Sequence, residues 1–293
     1  MPPLMRFGLS THIFHGEQLS REHLAMVAGA GFDLVEVFAT QTHVNYHDLQ
    51  HVGRVRGWLD ELGLDAWSLH APITDGLRDG VWGRSFSNAS KDADRWHQAV
   101  SETKASITAA HELGCRTVVL HLGVPVGQPV PGDDNDASAV SRSLEPIADA
   151  CERAGMRLAI EVIPNELATA AAVFDWLRGD LELGQTGACL DTGHAHLTGG
   201  VTDAIERLAG DIITTHLHDN RGTGDDHLLP FDGTIDWLST LFALVKIGYA
   251  GPLIFELPSH GDVTRTLAGA VSARRRIQVI LDELTAPFPF EDA

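Results

Sequence analysis

Cysteine is scarce in this 293-residue chain, with only Cys115, Cys151 and Cys189. The count is odd and no C-x-x-C pair occurs, which argues against a disulfide framework and against a zinc–cysteine site. The N-terminal stretch MPPLMRFGLS has no apolar signal core, and no apolar run approaches the length that spans a bilayer. We therefore expect a cytoplasmic protein without membrane association.

Basic residues are also few. The chain has 21 Lys and Arg against 40 Asp and Glu, a formal net charge of −19. Such a surface repels phosphate backbones and anionic membranes, so nucleic acid is not the expected partner. The one basic run, at 274–276, is interpreted as a solvated helix face. The charge favours a small-molecule ligand.

Short β-rich runs alternate with longer amphipathic stretches along the whole chain. Eight β-then-α units in one series predict a closed (β/α)8 barrel, a single domain over 1–293. No G-x-G-x-x-G follows the first strand and no Walker loop occurs, which argues against a doubly wound sheet and a nucleotide cofactor. The predicted strands are Arg6–Ser10, Leu34–Phe38, Asp65–His70, Thr117–Leu122, Leu158–Ile163, Gly187–Asp191, Ile212–His218 and Leu253–Leu257. The predicted helices are 20–30, 47–62, 90–113, 138–154, 166–179, 201–209, 234–247 and 261–284, with Ser20, Ser138 and Thr234 as N-caps.

Two connections are longer than the rest, at 71–89 and at 123–137. Both follow strands, so in a barrel both lie on the catalytic face. Long loops at this face often act as lids, although a merely variable surface loop is the alternative.

Acidic and imidazole side chains gather at the ends of the predicted strands. Ionised carboxylates inside a barrel are costly unless they are paired or bind a cation, and few Lys or Arg lie nearby in the sequence. A divalent metal with mixed His and carboxylate ligands, such as Mn²⁺, Zn²⁺ or Co²⁺, satisfies this set. Because His216 and His218 point to the same side of their strand, the pattern does not choose between them. The candidates are His12, Glu36, His70, His121, Glu161, Asp191, His194, His216, His218, Asp219 and Glu256.

The order of motifs resembles the xylose-isomerase-like TIM-barrel superfamily, which holds sugar phosphate isomerases and epimerases and the AP endonuclease family 2. The resemblance runs from FGLSTH at 7–12 to IFELP at 254–258. It is carried by SLHAP (68–72), HLG (121–123), IEVIPN (160–165), LDTGH (190–194), HLHDN (216–220), DDHLLPFDGTIDW (225–237) and FEL (255–257).

The resemblance to the epimerases implies one metal ion, Mn, Co, Mg or Zn, held by Glu161, Asp191, His216 and Glu256. It favours His216 over His218, since the family pattern is H-x-x-D/E and Asp219 supplies the acid. Glu161 and Glu256 would also be the catalytic acid/base pair. The resemblance implies that His194 and Arg221 bind substrate. His70, His121 and His227 are assigned either to substrate binding or to hydrogen bonds that orient the ligand carboxylates.

The endonuclease-IV branch of the same superfamily uses a three-zinc site. Its positions match nine residues here, so His70, His121, His194, Asp225 and His227 become possible extra metal ligands. Charge favours the other branch: a metal-dependent isomerase or epimerase of a small keto-sugar or polyol, working through an enediolate in carbohydrate metabolism. The alternatives are a trinuclear zinc phosphodiesterase on abasic DNA and a dehydratase of an inosose-type substrate. The sequence leaves a homo-oligomer open.

Overall fold

The computed structural model describes residues 5–126, 134–259 and 261–286. Eight parallel strands close into a barrel in the order β1-β10-β9-β8-β7-β6-β3-β2, which confirms the predicted (β/α)8 fold. Two further strands form a small hairpin in the loop after β3. The strands are β1 (Phe7–Ser10), β2 (Leu34–Phe38), β3 (Asp65–His70), β4 (Leu77–Arg78), β5 (Val81–Trp82), β6 (Thr117–Leu120), β7 (Arg157–Glu161), β8 (Gly187–Asp191), β9 (Ile212–Leu217) and β10 (Leu253–Phe255).

Helices surround this barrel and follow the predicted ranges closely, apart from one short helix directly after β8 that the sequence did not indicate. No helix in the described part of the chain is long and apolar enough to cross a membrane. The helices are α1 (Arg21–Gly29), α2 (Leu49–Leu62), α3 (Ala93–Leu113), α4 (Ala137–Arg153), α5 (Ala170–Arg178), α6 (Thr192–Leu197), α7 (Val201–Arg207), α8 (Trp237–Lys246) and α9 (Val263–Thr285), with a 3-10 turn at Thr11–Phe14.

One predicted N-cap is confirmed and two are wrong. Ser20 caps α1 and accepts a hydrogen bond from the His23 N–H. The cap of α4 is Asp136 instead of Ser138, and the cap of α8 is Asp236 instead of Thr234. A carboxylate accepts the exposed N–H groups of the first turn and also favours the positive end of the helix dipole, so aspartate prevails over a nearby hydroxyl.

The inner face of the barrel changes from apolar to polar along β6, β7 and β8. Val119, Ala159 and Cys189 belong to a small apolar cluster that is separate from the main core. Residues two positions later on the same strands lie on the same face, one layer nearer the carboxyl end. That next layer carries His121, Glu161 and Asp191, so an apolar floor supports a polar upper layer.

The two long loops differ in how much of them the structure describes. The loop at 71–89 folds back as the β4–β5 hairpin, with a bridge between Thr74 and Ser85 at its base. In the loop at 123–137, residues 127–133, which include Pro129 and Pro131, lie outside the described residues. Its described ends are joined, because the Asn135 side chain accepts from the Val124 N–H and donates to the Val124 carbonyl.

The loop after β9 is held by Asp219, which is fully buried. Its Oδ1 accepts from the backbone N–H groups of Asn220 and Ile235, at 2.9 and 3.1 Å. Its Oδ2 accepts from the Phe231 N–H at 3.1 Å and from the indole of Trp237 at 2.8 Å. The carboxylate thus fixes the 225–237 segment instead of supporting His216 as the sequence indicated.

Asp219→Asn should therefore destabilise the protein. The asparagine side chain replaces one carboxylate oxygen with an NH2 group, which is a donor. The two N–H groups that bond to that oxygen in the wild type then have no acceptor. Hydrogen bonds to a charged group contribute about 1.5–3 kcal/mol each, so we expect a loss of about 2 kcal/mol or more in the free energy of unfolding, measured by urea denaturation. The control is Asp232→Asn, an exposed aspartate of the same segment. Equal stability of both variants would contradict this role for Asp219.

Candidate metal centre

Four side chains meet at the carboxyl ends of β7 to β10. Glu161, Asp191, His216 and Glu256 each offer one ligand atom, and these atoms all lie within 4.8 Å of one another. His216 Nδ1 is 3.5 Å from Glu161 Oε1, 3.5 Å from Glu256 Oε2 and 3.8 Å from Asp191 Oδ2. The structure therefore brings together the four residues predicted as metal ligands.

The chemistry of this group suits a divalent cation. Glu161 Oε1 and His216 Nδ1 are buried and have no hydrogen-bond partner among the described residues. Three carboxylates face one imidazole nitrogen, and burying such charge is costly unless a cation neutralises it. Mixed nitrogen and oxygen donors match Mn, Co and Zn, so the residues present fit a bound metal ion.

His216 is oriented by a carboxylate on the other side of its ring. Its Nε2 lies 2.9 and 3.0 Å from the two carboxylate oxygens of Glu36. An ionised carboxylate only accepts hydrogen bonds, so Nε2 carries a proton and donates it to Glu36. In the neutral ring, Nδ1 is then left as a lone pair directed at the group of carboxylates.

A second group shares Glu161 with the first. His70 Nε2 and His121 Nε2 both lie 3.2 Å from Glu161 Oε2. The two rings come from the ends of β3 and β6, and they meet edge to face with centroids 4.9 Å apart. These three residues form another set with metal-ligand spacing.

A third group lies around Asp225, in the segment that Asp219 holds. His194 Nε2 and His227 Nε2 each lie 3.2 Å from Asp225 Oδ2. His218 belongs to the same group, and its ring stacks on His227 with centroids 3.8 Å apart. The Nε2 of His218 lies 2.9 Å from Asp191 Oδ1, so His218 contacts a residue of the first group without being part of it.

Three of these histidines are held in the same manner. The Nδ1 atoms of His70, His194 and His227 face the backbone carbonyls of Ala71, Val162 and Glu256, at 2.8, 3.1 and 3.3 Å. A carbonyl only accepts, so Nδ1 carries the proton and Nε2 is turned toward a carboxylate. This is the arrangement in which proteins orient histidine ligands of metals.

The electrostatics of the groups show strong coupling between acids and imidazoles. Burial lowers the pKa of His70 and of His227, but the carboxylates of Glu161 and Asp225 outweigh it and raise these pKa values to about 8 and about 9. Burial would raise the pKa of Glu161, but the neighbouring histidines hold it well below its usual range. Positive charge is strongly favoured in these groups, whether it comes from protons or from a metal.

A cavity of about 300 Å³ opens above the groups. Its polar side carries Glu161, Glu256 and Asp225. Its other side is mostly aromatic and apolar, and Trp82 of the hairpin stacks on His15 with centroids 5.1 Å apart. His15 in turn stacks on His12, and burial and neighbouring histidines hold the pKa of His12 well below its usual value. The lining residues are His12, His15, Phe38, His70, Ile73, Trp82, His121, Pro125, Glu161, His194, Asp225, His227, Glu256 and Pro258.

Most of the predicted substrate-binding residues line this cavity, namely His70, His121, His194 and His227. Arg221 does not. Its side chain is exposed and reaches Asp226 at 3.9 Å. All 21 Lys and Arg of the chain fall within the described residues, and none of them lines the cavity.

Sequence reasoning missed the contacts of two residues. It expected Glu36 only to line the pocket, whereas Glu36 is not among the lining residues, and it treated His218 only as an alternative to His216. For Glu36 a signal was available, since a glutamate in the centre of the apolar strand LVEVF has to be paired or functional. For His218 the sequence carries no comparable signal.

The chain is similar in sequence to proteins of other organisms. It is 33% identical over 163 residues to the uncharacterized protein y4fM of Sinorhizobium fredii, a match that spans 53% of this chain and 51% of that protein. It is 26% identical over 276 residues to the uncharacterized protein MJ1311 of Methanocaldococcus jannaschii, which spans 89% and 87% of the two chains.

Solved structures share the fold at lower identity. A D-tagatose 3-epimerase-like protein has a TM-score of 0.79 and 23% identity, covering 96% of this chain and all of that one. The IolI protein with a bound zinc atom has a TM-score of 0.71 and 17% identity, covering 97% and 100%. The family model described as xylose isomerase-like TIM barrel matches residues 24–280, and the chain therefore belongs to the xylose isomerase-like TIM-barrel family.

Proposed function

We propose that this protein is a metal-dependent isomerase or epimerase of a small, uncharged keto-sugar or polyol, acting in the cytoplasm in carbohydrate metabolism. The observation that carries the proposal is the placement of Glu161 and Glu256. Both belong to the group of four ligands and both line the cavity, so each can meet a metal and a substrate.

The two glutamates reach the cavity from β7 and from the end of β10, which are separated in the barrel by β8 and β9. A substrate between them meets a carboxylate on each side. One carboxylate removes the proton from the carbon next to the carbonyl. The other glutamate enters the step protonated and delivers its proton to the opposite face, which inverts that carbon and leaves the two side chains with exchanged protonation states. Acid–base catalysis of this kind contributes about 10²–10⁴-fold to the rate.

A divalent ion held by Glu161, Asp191, His216 and Glu256 would polarise the substrate carbonyl and stabilise the negative charge of the enediolate. The surrounding histidines have other tasks. His70 and His121 hold the Glu161 carboxylate in place from the side away from His216. The Nε2 atoms of His194 and His227 face the cavity beside Asp225, where they can bind substrate hydroxyls.

The same residues support three outcomes from one intermediate. Return of the proton to the same carbon gives epimerisation, return to the neighbouring carbon gives aldose–ketose isomerisation, and loss of a β-hydroxyl gives dehydration. We propose isomerisation or epimerisation first, because two carboxylates line the cavity. Dehydration of an inosose-type substrate is the variant of the same chemistry.

The lack of Lys and Arg in the described cavity lining supports an uncharged substrate. No Lys or Arg among the described lining residues can neutralise a phosphate. Arg84, which lies in the loop after β3, donates to the Gln98 side chain at 2.8 Å instead. The wall of Trp82 and His15 can pack against the C–H face of a sugar ring, whereas a phosphate would face three carboxylates.

Glu161→Gln should abolish turnover while the barrel stays folded. The amide keeps the shape of the side chain but cannot accept the proton, so kcat should fall by about 10²-fold or more. The measurement is a steady-state assay on a panel of ketoses and inososes with metal-replete protein, together with circular dichroism. The matched control is Glu166→Gln, an exposed glutamate of the loop after β7. Full activity of the Glu161→Gln variant would refute the acid/base role.

A second candidate function rests on a different observation. The first two groups of ligands share Glu161, and the third approaches it through His194 Nδ1 at 3.4 Å. The Nε2 atoms of His70, His194 and His227 are turned toward carboxylates. Such a set could hold three zinc ions, as in a phosphodiesterase that cleaves abasic DNA. The charge of −19 opposes this candidate, because binding duplex DNA requires Lys or Arg at several phosphates.

Metal stoichiometry separates the two candidates. Protein purified without chelators or nickel resin is analysed for metals, and one Mn, Co, Mg or Zn per chain is expected for the sugar enzyme. His216→Ala should lower the metal content, since it removes one of the four proposed ligands of that ion. Close to three zinc ions per chain, with cleavage of an abasic-site duplex, would overturn the sugar assignment in favour of the nuclease.

A further inference from the structure

Glu36 is a carboxylate in an unusual place. It lies in the middle of β2, whose five residues are all buried, and its side chain is fully buried inside the barrel. Apart from His216, its neighbour is Ser68, whose hydroxyl donates to Glu36 Oε2 at 2.7 Å. Ser68 is also fully buried.

The burial of this charge calls for an explanation. The first group already contains three carboxylates close together, and Glu36 adds a fourth negative charge just beyond His216. No Lys or Arg contacts it among the described residues. A buried carboxylate is costly unless it is paired, and the ionisable partner of Glu36 is the His216 ring.

The geometry offers a reason for keeping Glu36. Its contacts with His216 Nε2 fix both the proton position and the ring orientation, so that Nδ1 faces Glu161, Asp191 and Glu256. The negative charge beyond the ring also increases the electron density that Nδ1 can donate. Carboxylates in this position behind a histidine ligand strengthen metal binding, and their loss typically reduces affinity about 10–100-fold.

We propose that Glu36 is the positioning residue of the metal centre. Hydrogen bonds link Ser68 to Glu36 and Glu36 to His216, and they direct the His216 Nδ1 atom at the metal. The inference rests on the proposed metal site. It assigns Glu36 to metal affinity through His216, whereas a role in the stability of the fold alone would leave the metal affinity unchanged.

The test is Glu36→Gln, which keeps the size of the side chain and removes its charge. We expect metal affinity to fall about 10–100-fold, measured by competition of Zn²⁺ and Mn²⁺ with a chelator. The melting temperature of the metal-free protein is measured alongside, because Glu36→Gln also removes the carboxylate that pairs with His216 in that state. A fall in that melting temperature with unchanged affinity would show a structural role and overturn the proposal.

Two further variants make the result specific. Glu102→Gln is the matched control, because Glu102 also contacts a histidine, His47 Nε2 at 2.7 Å, but neither residue lines the cavity. Its metal affinity should equal that of the wild type. In the His216→Ala background, Glu36→Gln should cause no further loss of affinity. An equal loss in both backgrounds would show that Glu36 does not act through His216, which overturns the proposal.

The same titrations separate this inference from the proposed function. Wild-type protein that binds no divalent metal would refute the metal site itself, and with it the role of Glu36. Wild-type protein that binds metal, with an unchanged affinity in Glu36→Gln, would refute only the role of Glu36.

Discussion

The polar layer at the carboxyl ends of the strands depends on one constraint. Several carboxylates are buried there, and no Lys or Arg of the described residues contacts them. Glu36, Glu161, Asp191 and Glu256 are all buried, and the ionisable groups that contact them are histidines. Charge of this kind is tolerated only if protons or a metal ion balance it. The raised pKa values of His70 and His227 show how strongly the rim attracts positive charge. A divalent metal ion is the simplest positive charge that both neutralises these carboxylates and can polarise a substrate.

The barrel delivers these groups because all eight strands end at one rim. An apolar layer that includes Ala159 and Cys189 lies below the polar layer and separates it from the bottom of the barrel. Loop residues complete the site only because buried polar anchors position them. Asp219 binds the segment that carries Asp225 and His227, and the Asn165 side chain donates to the carbonyls of Leu122 and Val124 in the loop after β6.

Much of the fold could be predicted from the sequence, because strand composition and glycine at helix ends are local signals. The ligand group could be found as well, since Glu161, Asp191 and Glu256 each stand at the end of an apolar strand. The pairing of Glu36 with His216 could not, since it joins residues 180 positions apart. The position of Arg221 could not be predicted either, because the direction of the loop decides whether its side chain enters the cavity. Two helix caps were placed wrongly, because Ser138 and Thr234 each have a competing aspartate two residues away.

The central claim is that one divalent ion binds where Glu161, Asp191, His216 and Glu256 converge. The most direct measurement is X-ray diffraction from crystals of metal-replete protein, with anomalous difference maps calculated on both sides of the zinc and manganese absorption edges. The account predicts one anomalous peak within bonding distance of His216 Nδ1 and of the three carboxylates. A map without a peak at that position, from crystals shown to contain metal, would contradict it.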